Sequence, residues 1–171
     1  MPPTGKSSSH RSHPQTGPDA KFSGDTTSVD AIVRALYESI SFAPDSQPDY
    51  NRLRSLFHPG GRLIPPKQNP SFDVAALEIE EFIKNSWENI ILTGLESKGF
   101  YEHEVRRFEE AAGDIAHVFS VYESRNRSED AEPIQRGINS IQLVKDANRW
   151  WLLSVLWDRE DPQHPFPSQY R

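Results

Sequence analysis

Twenty-six consecutive residues constrain the fold of this chain more than any others. Gln135 to Glu160 reads QRGINSIQLVKDANRWWLLSVLWDRE, two strand-length apolar runs around a polar turn, with three of the four tryptophans in the second run. Side chains alternate across a sheet, so the turn length decides which residues share a face. A two-residue turn at Ala147-Asn148 pairs Ile138 with Trp157. A three-residue turn, Ala147-Asn148-Arg149, pairs Asn139 with Trp157 and Ile141 with Val155. Asn tolerates the left-handed backbone of a bulged three-residue turn. The longer turn also sets Arg136 opposite Glu160 as a cross-strand charge pair, and it is the preferred reading. One face then carries Asn139, Ile141, Leu143, Trp151, Leu153, Val155 and Trp157, and the other Ile138, Val144, Trp150, Leu152 and Leu156 with polar Ser140 and Gln142. Both faces are largely apolar, so both need cover. Helices cover one. For the other the reading is a second copy of the chain, a homodimer through the outer sheet face, with a covering tail or loop as the alternative.

Upstream, Thr27 or Ser28 caps a helix whose apolar residues Val29, Ile32, Val33, Leu36, Tyr37 and Ile40 recur at helical spacing. Asp49 caps a short second helix, with Tyr50, Leu53, Leu56 and Phe57 facing inward. His58-Pro59-Gly60-Gly61 breaks it, and Arg62 to Ile64 makes a brief strand ended by Pro65 and Pro66. A third helix runs from Val74 to about Leu92 on a stripe that includes Phe82, Trp87 and Ile90. The period then becomes alternating, with strands near Glu102 to Glu110 and Ile115 to Arg125. Three helices followed by a run of antiparallel strands predict an α+β fold, with helices against one face of a sheet.

Composition bounds the function. The 171 residues are about one domain long, and the low 35% hydrophobic content is unevenly spread. Residues 1–24 read as a disordered N-terminal tail, 25–160 as the domain, and 161–171 as a Pro-rich C-terminal tail. The first tail carries a net +2 and the remainder −8, an acidic body that argues against nucleic acid or an anionic membrane as partner. There is no cysteine, hence no disulfide or thiolate chemistry. No run has signal-peptide or membrane-span character, so a cytoplasmic location is expected. No His/Asp/Glu spacing resembles a metal motif and no Gly-rich phosphate loop is present, so neither metal nor cofactor is expected.

Taken in order, LFHPGGRLIPP, GDIAHVFSVYESR and RGINSIQL followed by RWWLLSVLWDRE resemble the nuclear transport factor 2-like superfamily over roughly Ser28 to Glu160. That group includes ketosteroid isomerase, scytalone dehydratase and SnoaL-type polyketide cyclases. The resemblance implies a cone-shaped, cystatin-like fold: three N-terminal helices wrapped by a curved, mainly antiparallel sheet, with a pocket at the open end and dimers through the outer face. It also implies site positions. The isomerase's first-helix tyrosine falls near Tyr37. Its protonated carboxylic acid falls at Asn139, whose amide also donates a hydrogen bond. Its pocket tryptophan falls at Trp157. Its aspartate base falls at Pro65, which accepts no proton, so the isomerase reaction does not carry over.

The remaining candidates follow from chemistry. His58 is an acid/base candidate by its neutral-range titration, or a cap at the C-terminus of the second helix. Tyr37 and Asn139 are either two donors aimed at one oxyanion or a satisfied buried pair. Ser120, Tyr122, Trp157 and Trp87 are candidates for the wall of a ligand cavity. The expected function is binding of a small, largely apolar molecule, with action on a carbonyl- or hydroxyl-bearing substrate. A non-catalytic ligand-binding or dimeric interaction module of the same fold is the alternative.

Overall fold

The computed structural model describes residues 20–67, 71 and 73–171. Most of the expected N-terminal tail, residues 1–19, lies outside the described residues. The ordered body begins before Asp25: a 3-10 helix spans Ala20–Thr26 and buries Phe22. Arg52 ties it to the second helix through Asp25, with two hydrogen bonds of 2.7 and 2.9 Å.

The first helix, α1 (Val29–Ile40), is capped by Ser28, whose hydroxyl accepts from the Ala31 amide at 3.1 Å. Its apolar stripe, including Ile32, Val33, Leu36 and Tyr37, is buried. Asp49 caps α2 (Tyr50–Leu56) by accepting from the Arg52 amide at 3.0 Å. Phe57, expected at the end of α2, instead opens β1 (Phe57–Ile64), and the His58-Pro59-Gly60-Gly61 segment is an irregular part of that strand. Gly61 makes this approach feasible, because a Cβ there would sit 3.0 Å from both the Leu152 carbonyl and the Phe57 ring. The third helix, α3 (Ile79–Leu92), starts five residues later than its hydrophobic pattern suggested. Leu77 is held back by two backbone hydrogen bonds with Leu63, of 2.8 and 3.0 Å.

Four long strands follow: β2 (Tyr101–Ala112), β3 (Ile115–Arg125), β4 (Gln135–Asp146) and β5 (Arg149–Arg159). The sheet order is β1-β5-β4-β3-β2, parallel only between β1 and β5. The fold is α+β, a curved, mainly antiparallel sheet wrapped on three helices.

The β4–β5 hairpin combines the two turn readings. Asp146 pairs with Arg149, so the turn is the two-residue Ala147-Asn148, both with positive φ (47° and 71°). That geometry suits the twist of a hairpin, which the longer turn does not need. Further from the turn, Asn139 nevertheless pairs with Trp157 and Ile141 with Val155. A bulge between Gln142 and Leu143 adds the missing residue on the β5 side. As a result Trp150 and Leu152 join the helix-facing core and Trp151 turns outward, the reverse of the expected assignment near the turn.

The outer face is partly covered by the chain itself. Tyr170 packs against Phe108 and Phe119 with ring centroids 5.3 and 5.2 Å away. Arg171 bonds Glu160 at 2.7 Å, and Glu160 also accepts from the Phe166 amide at 2.9 Å. Arg136 does stand opposite Glu160, whose amide donates to the Arg136 carbonyl at 2.9 Å, but its guanidinium bonds Glu123 on the neighbouring strand.

Candidate functional site

Between the helices and the inner sheet face lies a cavity of about 590 Å³, within the range of small-molecule sites. Leu36 and Ile40 of α1, Leu53 of α2, Phe82 and Ile90 of α3, and Val155 and Trp157 of β5 supply apolar wall. Phe82 and Trp157 meet edge to face at 5.9 Å. Pro65, the position without a base, also lines it.

Polar groups enter that wall at several points, Asn85, Ser86, Asn89 and Gln135 among them. Glu102 projects from the start of β2, and Asn139 from β4 opposite Trp157. Tyr122 of β3 lies over Gly137, directly across on β4. A Cβ on Gly137 would fall 2.2 Å from the Tyr122 ring and hydroxyl, so only glycine admits the ring there. Arg159 continues the inward alternation Val155, Trp157, Arg159 at the end of β5. The Tyr50 hydroxyl is buried without a hydrogen bond of regular geometry among the described residues, and Ser86 is its polar neighbour.

Glu102 is the group with chemical reach. Burial raises its pKa to about 8, against the smaller opposing pull of the Asn139 amide and the Arg159 charge. Near neutral pH it is therefore mostly a neutral acid, able to donate a proton or hydrogen bond into the cavity. Burial also pushes the Tyr122 and Tyr37 phenols well above their ordinary range, with the Glu102 charge adding to both.

Tyr37 is not on the cavity wall. Its hydroxyl is the middle of a buried chain whose direction can be worked out from one end. Glu104, paired with Arg107 at 2.7 Å, accepts from the Ser120 hydroxyl at 2.7 Å. Ser120, having donated its proton, accepts from Tyr37 at 2.6 Å. Tyr37 in turn accepts from the Asn139 amide at 3.0 Å. The Tyr37 proton is thus spent on Ser120, and of the two readings of Tyr37 and Asn139 the satisfied buried pair matches these bonds.

The other candidates separate in the same way. Trp157, Tyr122 and Asn139 line the cavity; Ser120 is fully buried behind it; Trp87 sits on α3 outside the lining set. His58 is on the far side of the sheet. Its ring meets Trp151 edge to face at 5.9 Å, and its Nδ1 accepts from the Gly60 amide at 3.0 Å. It does not cap α2 either, since the cap residue is Phe57. Glu102 and Arg159 were absent from the sequence reading, although alternation offered a signal for each. Arg159 lies two residues beyond Trp157, and Glu102 two before Glu104 on the strand that pairs with Tyr122. Among the described residues no group of three or more His, Asp or Glu is placed to hold a metal, and no helix is long and apolar enough to cross a membrane.

No protein-family model matches the chain, and no curated protein matches it significantly. Solved structures do. A nuclear transport factor 2-like protein with a cystatin-like fold from Novosphingobium aromaticivorans aligns at TM-score 0.54 and 16% identity, over 77% of this chain and 78% of that one. A Parabacteroides distasonis protein provisionally described as a ketosteroid isomerase aligns at 0.52 and 13%, over 78% and 89%. A Xanthomonas campestris protein provisionally described as a calcium/calmodulin-dependent protein kinase II association domain aligns at 0.53 and 17%, over 78% and 86%. Identities this low establish the fold that these proteins share with the chain.

Proposed function

We propose that this chain, which has the nuclear transport factor 2-like, cystatin-like fold, binds a small, largely apolar molecule and sets its carbonyl or hydroxyl oxygen against Glu102. The observation that carries the proposal is a carboxyl group on the wall of an otherwise mainly apolar cavity. A protonated Glu102 donates to the ligand oxygen, and the Asn139 amide and the Arg159 charge stabilise the carboxylate left when its proton moves. Glu102 thereby takes the acid/base role, and the Tyr37 chain holds Asn139 in position. Native mass spectrometry of the purified protein tests the binding: a retained small molecule is expected, and its mass names the substrate class. An empty cavity, with no uptake when apolar carbonyl compounds are offered, would overturn it.

A second proposal concerns the outer sheet face. Leu153 and Leu156 of β5 are 41% and 40% exposed there, away from the Tyr170 contact. We propose that two copies associate through this uncovered side, as large apolar side chains on a sheet face favour. Light scattering on the purified chain should give twice the monomer mass, and a strict monomer at high concentration would refute it.

A further inference from the structure

We infer that Arg159 makes the cavity selective for an apolar molecule that carries a carboxylate, seated with its anionic end on the guanidinium. The inference rests on the cavity being a small-molecule site, as proposed above, and names the class of molecule it takes.

Three observations support it. First, Arg159 lies on the cavity side of β5, two residues after Trp157, so a ligand along the apolar wall meets it at one end. Second, its side chain, exposed at the end of β5, makes no ion pair or hydrogen bond among the described residues, and Glu102, on which its charge acts, is held mostly neutral by burial. The other arginines of the neighbouring strands that face carboxylates are engaged: Arg107 with Glu104 and Asp30, Arg125 and Arg136 both with Glu123. The carboxylates on either side of Arg159 in sequence are occupied elsewhere. Asp158 accepts from the Arg159 backbone amide, and Glu160 from Arg171 and Phe166. Third, the residue across the strand pair from Arg159 is Gly137, which offers no side chain. The space above it is filled by the Tyr122 ring, so no acid stands directly across from Arg159 on β4.

The charge balance of the lining agrees. Its ionisable groups are Lys67, Asp73, Glu102 and Arg159. Burial keeps Glu102 mostly neutral near pH 7, so it does not offset the Arg159 charge when an anion arrives. A planar guanidinium grips a carboxylate through two parallel hydrogen bonds, which a neutral hydroxyl cannot reproduce.

A matched pair of probes tests this at pH 7: octanoate and octanol, titrated by calorimetry into the full chain and into Arg159→Gln. The wild type should bind octanoate at least about tenfold more tightly than octanol, the size of one charge-assisted contact. Arg159→Gln should bring octanoate down to the level of octanol. Octanol affinity in the variant reports that the cavity is still formed. Equal binding of both probes by the wild type, or an unchanged preference in Arg159→Gln, overturns the carboxylate assignment and leaves the cavity as a binding site. If neither probe binds, the assignment falls together with the reading on which it rests.

Discussion

Glu102 offers a quantitative handle, because a carboxyl with a raised pKa makes the folded state sensitive to pH. Its pKa rises from 4.5 in the open chain to about 8 in the fold. A full shift of that size corresponds to roughly 5 kcal/mol at about 1.36 kcal/mol per pH unit. The sign follows from linkage. Below pH 4.5 both states hold the proton and Glu102 costs nothing. Between pH 4.5 and 8 the unfolded chain releases the proton while the fold retains it, so stability drains away as pH rises, and the loss is complete above the folded value. Glu102→Gln removes the titration and keeps the shape. Urea unfolding followed by tryptophan fluorescence should therefore show the variant gaining on the wild type by about 4 kcal/mol between pH 5 and 8.5. Every other titrating group is common to both proteins and cancels in the difference. Parallel pH profiles, or a difference that shrinks as pH rises, would refute the buried-acid account of this residue and remove the basis for its acid/base role.

Gly137→Ala places a methyl 2.2 Å from the Tyr122 ring; overpacking of that kind should cost about 1–3 kcal/mol, and in a Tyr122→Ala background the same substitution should cost much less if the clash is the cause. Tyr37→Phe breaks the chain from Asn139 to Ser120 and should lower stability by about 1–3 kcal/mol in urea unfolding. Tyr170→Ala uncovers Phe108 and Phe119, and light scattering should show more association at a given concentration than the wild type.

What could be read from the sequence was whatever depends on period and local capping. Ser28 and Asp49 cap the helices they were assigned, and the alternation of β3 put Ser120 and Tyr122 on one face, because each of these is decided within a few residues. The errors all come from interactions between distant segments. The start of α3 is set by the pairing of Leu77 with Leu63, which no local pattern encodes. The hairpin has the two-residue turn that its left-handed Ala147 and Asn148 dictate, together with the far register of the longer turn. A bulge reconciles them, and a bulge opposite Leu143 leaves no mark in the alternation of LVKDANRWWLLSV, where every candidate residue is apolar. His58 was drawn to the cavity by its neighbours in sequence, but the irregularity of β1 turns it to the Trp151 side.

Glu102 was passed over for a related reason, and it shows what residue type alone leaves open. On a strand reading YEHEVRRFEE, an acidic residue is most simply solvated surface. Only the closure of the helices over β2 separates Glu102, which faces the cavity, from Glu104 two residues on, which Arg107 neutralises. The same closure decides the direction of the hydrogen bonds. Because Glu104 can only accept, the protons of Ser120, Tyr37 and Asn139 all point towards it in turn. That polarity commits the Tyr37 proton to Ser120, and in the proposed function the carboxyl of Glu102 supplies the proton instead. A Glu104→Gln substitution would supply an amide donor in place of an obligate acceptor, and the chain would be free to reverse. Tyr37 could then accept from Ser120 and donate to the Asn139 carbonyl, turning the amide and weakening its hold on Glu102. The pH dependence of stability in Glu104→Gln should then steepen in the window set by Glu102, because a carboxylate that loses a donor becomes costlier to ionise. An unaltered window would mean that Asn139 is held by its strand alone, and that the chain behind it only fills space.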